Sequence, residues 1–280
     1  MSGTPAPPRS APRRGLRAGV HTKHGVAIEV AGFPIRIKSD APDFLHLVAT
    51  RTAWLTAAED ARPVVTIDYT LVPGAHEWPR EGEAPLSIER SGTETRIAGD
   101  GFVAVVDLET GRVCATGPLS LFLIDLVIRV ILPELFDDAL LLHCCVLGHD
   151  TGAWVCSGPS GAGKSTLLSL LPDLAVCDEL AILHRRRNTP SVRPLWAEGR
   201  TSGSLEVERI FLLEHGDRHC RRAVGPSEGF RRLSRETNWP VTGAEATRRT
   251  FKVLSWLIDH TPIWNLRFTP DPGVLEVIGR

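Results

Sequence analysis

Gly158-Pro159-Ser160-Gly161-Ala162-Gly163-Lys164-Ser165 fits the pattern G-x-x-x-x-G-K-[ST] at every defined position. Each residue type has a chemical reason to be there. Glycines let the backbone wrap until its N–H groups point inward at phosphate oxygens. A helix beginning near Lys164 would add its positive end at the same point. The Lys164 ammonium can bridge β- and γ-phosphates, and the Ser165 hydroxyl can ligate Mg²⁺. The residues expected to hold ATP are therefore Gly158, Pro159, Ser160, Gly161, Ala162, Gly163, Lys164, Ser165 and the following Thr166.

Asp178-Glu179 lies 14 and 15 residues beyond Lys164, at the end of the apolar run Leu174-Ala175-Val176-Cys177. In a parallel sheet the carboxyl ends of adjacent strands face one crevice, which would bring these acids to the γ-phosphate. A carboxylate there can hold Mg²⁺ or take the proton of an attacking hydroxyl. Ser165 and Glu179 are the expected metal-side residues. His143 sits in the apolar run before the loop strand. Taken alone, a histidine in such a run reads as a core residue.

These residues need elements to position them. Ala139-Leu140-Leu141-Leu142-His143-Cys144-Cys145-Val146-Leu147 reads as a buried strand. The turn His149-Asp150-Thr151-Gly152 follows, then a second strand at 153–157 that runs into the loop. A helix over 165–171 is stopped by Pro172. Further strands are expected at 174–177, 207–213 and 263–268, with helix around 254–258. Residues 121–135 form a long apolar-periodic helix. Before it, 25–115 alternates in short runs punctuated by Gly32, Ser91-Gly92 and Glu109-Thr110-Gly111, the pattern of a small strand-rich unit without clustered chemistry.

Composition narrows the functional classes. Residues 1–150 carry 14 Lys/Arg against 19 Asp/Glu, and 151–280 carry 18 against 14. A mildly basic second half suits an anionic ligand and is too weak a bias for nucleic acid. No apolar run reaches the roughly 18 residues of a membrane span; the stretch 119–135 is broken by Asp125, Arg129 and Glu134. The six cysteines form no C-x-x-C pair and read as reduced core residues, which points to the cytoplasm. Residues 1–20 hold four prolines and four arginines and no acid, the composition of a disordered tail rather than a secretion signal. The expected organisation is a tail at 1–20, a small β-rich domain at 21–117 and an α/β domain with the phosphate loop at 118–280.

The shape His143…Gly158-x-Ser160-Gly161-x-Gly163-Lys164-Ser165…Asp178-Glu179 resembles the HPr serine kinase/phosphorylases, and above all their shorter, diverged relatives. An ABC-type ATPase would need an L-S-G-G-Q-like signature, which this sequence lacks. His143 precedes Gly158 by 15 residues, similar to the family spacing, and Pro262-Ile263-Trp264-Asn265-Leu266-Arg267-Phe268 is similar to the closing strand of the diverged relatives. The resemblance covers roughly 118–280. It implies a P-loop kinase domain of HPr-kinase type that uses ATP and Mg²⁺ to phosphorylate a serine hydroxyl of a protein or peptide. Asp178 would be the base, His143 would orient it or the phosphates, and Lys164 would stabilise the transferring group. A later acid would complete the metal shell, Glu198 first and Glu206 as the alternative. Family members assemble as oligomers, so a homo-oligomer is among the expectations. The acid pair is Asp-Glu where the family has Asp-Asp, and the Gly-rich signature of the bifunctional members is not visible. Two other functions stand beside this one: a small-metabolite kinase and a nucleotide-binding regulator with little catalysis. Arg267, among apolar neighbours, calls for a partner.

Overall fold

A computed structural model describes residues 21–22, 25–30, 33–52, 57, 61–72, 87–99, 101–150, 152–195, 203–241 and 243–279. The expected tail at 1–20 and Glu198 lie outside the described residues.

The first half builds one mixed sheet. Its elements are β1 (His21–Thr22), β2 (Gly25–Val30), β3 (Phe33–Ser39), α1 (Pro42–Arg51), β4 (Val65–Leu71), β5 (Ser87–Ser91), β6 (Glu94–Gly99), β7 (Phe102–Asp107) and β8 (Arg112–Gly117). The strand order is β1-β2-β3-β4-β8-β7-β6-β5. β3 and β4 run parallel, which requires a crossover, and α1 supplies it. The sequence reading gave no helix there. Pro42 opens α1, and Phe44, Leu45, Val48 and Ala49 line its buried side. Alternation is strict in β4, where Val65, Ile67 and Tyr69 are buried and their neighbours are not.

Helix α2 (Phe122–Leu135) joins the halves, as the periodicity predicts. Ile124, Val127, Ile128, Ile131 and Leu132 pack in one cluster with the first sheet and with Leu141, Leu180, Ile182 and Leu195 of the second half. Apolar packing is therefore continuous from one sheet to the other through α2.

The second half comprises β9 (Ala139–Gly148), β10 (Ala153–Ser157), α3 (Lys164–Leu170), β11 (Ala175–Cys177), β12 (Leu180–Arg186), β13 (Thr189–Pro194), β14 (Leu205–His215), β15 (Cys220–Ala223), α4 (Pro226–Glu236), β16 (Thr237–Asn238), α5 (Ala244–His260), β17 (Ile263–Phe268) and α6 (Val274–Ile278). The pairings β10-β9-β12-β13-β14 return to β10, and β17 and β15 extend from β14. Cys144 and Val146 face the α4–α5 side with Leu233, Leu254 and Leu257. Cys145 and Leu147 face the α3–α6 side with Leu167 and Ile278. Covering on both faces explains why this strand reads as a continuous apolar run. Arg249 of α5 donates to the carbonyls of Glu134 and Phe136, closing the carboxyl end of α2. The chain is thus a mixed α/β protein with two sheets. Among the described residues no helix is long and apolar enough to cross a membrane.

Candidate functional site

Strand β10 delivers residues 158–163 to the amino end of α3. Gly161 and Gly163 both have positive φ, +79° and +98°. A Cβ at Gly163 would lie 2.8 Å from Cζ of the Phe268 ring, so this position excludes a side chain twice over. The Lys164 side chain is buried and curls back over the loop, donating from Nζ to the carbonyls of Gly158 at 2.7 Å and Pro159 at 3.1 Å. Its ammonium therefore sits inside the arc that the loop describes.

Asp178 reaches the same place. The Ser165 hydroxyl donates to Asp178 Oδ2 at 2.6 Å. The strand arrangement behind this contact differs from the sequence expectation. β11 is not the parallel neighbour of β10; β9 lies between them, antiparallel to both. Two antiparallel steps restore the direction, so the carboxyl ends of β10 and β11 still open on one crevice. Between β11 and β12 the chain kinks at Glu179, whose φ of +72° is uncommon for a residue with a side chain. The kink keeps pairing with β9 intact, because the Cys144 N–H donates to the Glu179 carbonyl at 3.0 Å.

Within the acid pair the roles divide. Asp178 turns both oxygens to close donors, Oδ2 to Ser165 and Oδ1 to the Glu179 N–H at 2.9 Å. The Glu179 carboxylate is held by Arg129 of α2 at 3.0 Å, and Arg129 also pairs with Asp125. The expected metal-side carboxylate is therefore the arginine-bound one, and Asp178 is the acid that meets Ser165.

A cavity of about 540 Å³ gathers the site, lined by His143, Lys164, Ser165, Asp178, Glu179 and His215 together with Ser160, Gly161, Gly163 and Thr166. That volume lies within the roughly 300–1,000 Å³ of small-molecule sites. Pro159 and Ala162 shape the loop, and Ala162 is buried beneath it. Among the described residues no three His, Cys, Asp or Glu converge as a ready metal cluster. Magnesium held beside phosphates does not require one, because phosphate and water oxygens supply most of its ligands. Glu206, the alternative metal acid, pairs with Ser191 at the amino end of β14, whereas the cavity opens at the carboxyl end at His215. The length of β14 separates it from the site, so Glu206 cannot serve there.

Several residues in or beside the site escaped the sequence reading. The His215 Nε2–H donates to the Gly161 carbonyl at 2.6 Å. His215 is the last residue of β14, separated from the apolar run at 210–213 by Glu214 alone, so the strand-end rule could have flagged it. His143 Nδ1 meets Glu236 Oε2 at 3.3 Å, a contact across 93 residues that carried no sequence signal. Arg267 does have its partner, donating to Glu214 Oε2 at 3.0 Å. Burial raises the Glu214 pKa, but hydrogen bonds from Asn265 and Arg267 and the charges of Arg232 and Arg267 outweigh it and hold the carboxyl below its usual range. Beneath the loop, burial and the neighbouring Cys177 push the Cys144 thiol far up, while a hydrogen bond with Cys156 and burial do the same to Cys145. These thiols stay protonated packing groups.

No family model matches the chain, and no curated relative matches it. Among solved structures similar to it is the HPr(Ser) kinase/phosphatase from Coxiella burnetii, at 13% identity and a TM-score of 0.28, covering 49% of this chain and 84% of that one.

Proposed function

We propose that the chain is an HPr-kinase-like phosphotransferase that uses ATP and Mg²⁺ to phosphorylate a serine hydroxyl of a protein or peptide. The observation that carries this reading is the 2.6 Å contact of Ser165 with Asp178, in one cavity with Lys164 and His143. A magnesium-dependent transfer site needs a hydroxyl and a carboxylate together at the end of a phosphate loop.

The residues present fit the ligand. Gly161 and Gly163 hold positive φ, the conformation by which a loop of this kind turns its N–H groups toward phosphate oxygens. The buried Lys164 ammonium is the cation for the phosphates, and Ser165 with Asp178 is the oxygen pair for Mg²⁺. ATP supplies the phosphoryl group, and the metal offsets its charge. Lys164 stabilises the charge that develops on transfer. The incoming hydroxyl loses its proton inside the cavity, where Asp178 and His143 both stand.

A nucleotide-binding regulator with little catalysis is the second reading, and one observation favours it: the Glu179 carboxylate is tied to Arg129. Transfer of labelled γ-phosphate from ATP to serine-bearing peptides separates the two. The kinase reading expects a phosphoserine product from the wild type and none from Lys164→Ala or Asp178→Asn. ATP binding by the wild type with no product on any acceptor would leave the regulator.

A further inference from the structure

We propose that Glu236 is a positioning residue for His143, and that this pair rather than Asp178 takes the proton of the incoming hydroxyl. The proposal rests on the phosphotransfer reading above.

The pair is a consequence of register. β16 pairs antiparallel with β9, with Thr237 opposite Leu142 and Asn238 opposite Leu141. One step further along the same ladder puts Glu236 opposite His143. Glu236 is also the last residue of α4, and the exit from that helix is fixed. The Thr237 hydroxyl donates to the Leu233 carbonyl at 2.9 Å, and the Trp239 indole N–H donates to the Ser234 carbonyl at 2.8 Å. One turn back, Arg232 donates to Glu214 and Asn265, both at 2.8 Å. The Glu236 carboxylate, 14% exposed, is therefore delivered by rigid elements. His143 is held as firmly. Its carbonyl accepts from the Ser157 hydroxyl at 3.0 Å, and its backbone lies opposite Leu180 of β12.

The chemistry follows from the donor inventory. A carboxylate only accepts, so the hydrogen between the two side chains belongs to His143 Nδ1. In the neutral ring Nε2 then carries a lone pair, and the ring, a third exposed, lines the cavity. The other cavity groups are engaged. Asp178 accepts at both oxygens, Glu179 is on Arg129, Lys164 is on two carbonyls, and His215 Nε2 donates to Gly161. Among the described residues no partner engages His143 Nε2.

In the step, the serine O–H bond breaks and its proton forms an N–H bond at Nε2. The serine oxygen bonds to the γ-phosphorus, and the departing diphosphate oxygen keeps the electron pair of the bond that breaks. The Glu236 carboxylate stabilises the imidazolium so formed. Asp178 remains with Ser165 on the metal side.

Two readouts test this. Two-bond ¹⁵N–¹H correlation on histidine-labelled protein, with His143 assigned by its loss in His143→Ala, reads the tautomer without any ligand. The wild-type ring is expected to carry its proton on Nδ1 and to lose that preference in Glu236→Ala. Single-turnover transfer from ATP is expected to fall about 10–100-fold in Glu236→Gln, which keeps an acceptor oxygen but not the charge, with ATP affinity within about twofold of wild type. His143→Ala is expected to lose about 10²–10⁴-fold and to recover in part with free imidazole. A proton on Nε2 in the wild type, or transfer at the wild-type rate by Glu236→Ala, overturns the proposal and leaves the kinase reading standing. A wild type with the Nδ1–H ring that transfers to no serine acceptor fails the kinase reading, and the base role falls with it.

Discussion

Gly163→Ala probes the loop geometry directly. Gly163 has φ +98°, and the left-handed backbone costs a residue with a side chain about 1–2 kcal/mol. The added methyl would also lie 2.8 Å from Phe268 Cζ. Phe268 is 4% exposed and packed with Phe211, Leu213 and Leu266, so its ring has little room to swing. Forcing a methyl into such packing costs about 1–3 kcal/mol. The expected destabilisation is roughly 2–5 kcal/mol. Gly161→Ala is the internal control: φ is +79° but no atom lies within 4 Å of the new Cβ, so only the backbone term of about 1–2 kcal/mol applies. Urea unfolding followed by tryptophan fluorescence should give a lower midpoint for Gly163→Ala than for Gly161→Ala at an unchanged slope. Equal midpoints, or the reverse order, would refute the placement of Phe268 against the loop.

Tyr69 should make the protein lose stability in alkali. It is the single tyrosine of the chain, 2% exposed, stacked on Phe44 and donating to the Pro118 carbonyl, and burial pushes its pKa up to about 12. Because the folded pKa lies above the unfolded value of 10.0, the contribution is whole below pH 10 and disappears as pH rises to about 12, a loss of about 3 kcal/mol. Absorbance at 295 nm should show a phenolate titrating near 12 rather than 10, and Tyr69→Phe should remove the extra alkaline sensitivity. Thiol labelling gives an independent check on the second sheet. Cys144, Cys145, Cys156 and Cys177 are buried, so native protein should react with iodoacetamide at Cys114 and Cys220 and at the other four only after unfolding. Rapid native labelling of Cys145 would contradict the covering of β9 by α3.

How much the sequence disclosed depended on how local each signal was. The loop was legible because its pattern is contiguous. β9 and β10 were legible because both faces are covered, which leaves an uninterrupted apolar run. β17 was read with both ends in place. Helix α1 was missed: ten residues with four buried apolar positions give a weak period, and its stability comes from packing on the first sheet. The basic run Arg185-Arg186-Arg187 is exposed and leads into the turn of the β12–β13 hairpin, with Arg187 and Asn188 both at positive φ. Helix α4 buries only Gly229 and Leu233 completely, so its arginine-rich sequence hid an element that carries Glu236 to His143. Asp178 was brought to the right end of the sheet by the wrong route, because antiparallel β9 was not foreseen between the two strands. Contacts such as Glu236 with His143 depend on topology alone.

A kinase of the proposed kind holds the phosphates of ATP on residues 158–165. Calorimetric titration of ATP, with and without Mg²⁺, into wild type, Lys164→Ala and Ser165→Ala tests it most directly. Removing charge-assisted bonds worth about 1.5–3 kcal/mol should weaken binding by Lys164→Ala about 10–100-fold. Ser165→Ala should abolish most of the gain that Mg²⁺ gives the wild type. Lys164→Ala binding ATP as tightly as the wild type, or wild-type binding indifferent to Mg²⁺, would contradict the account.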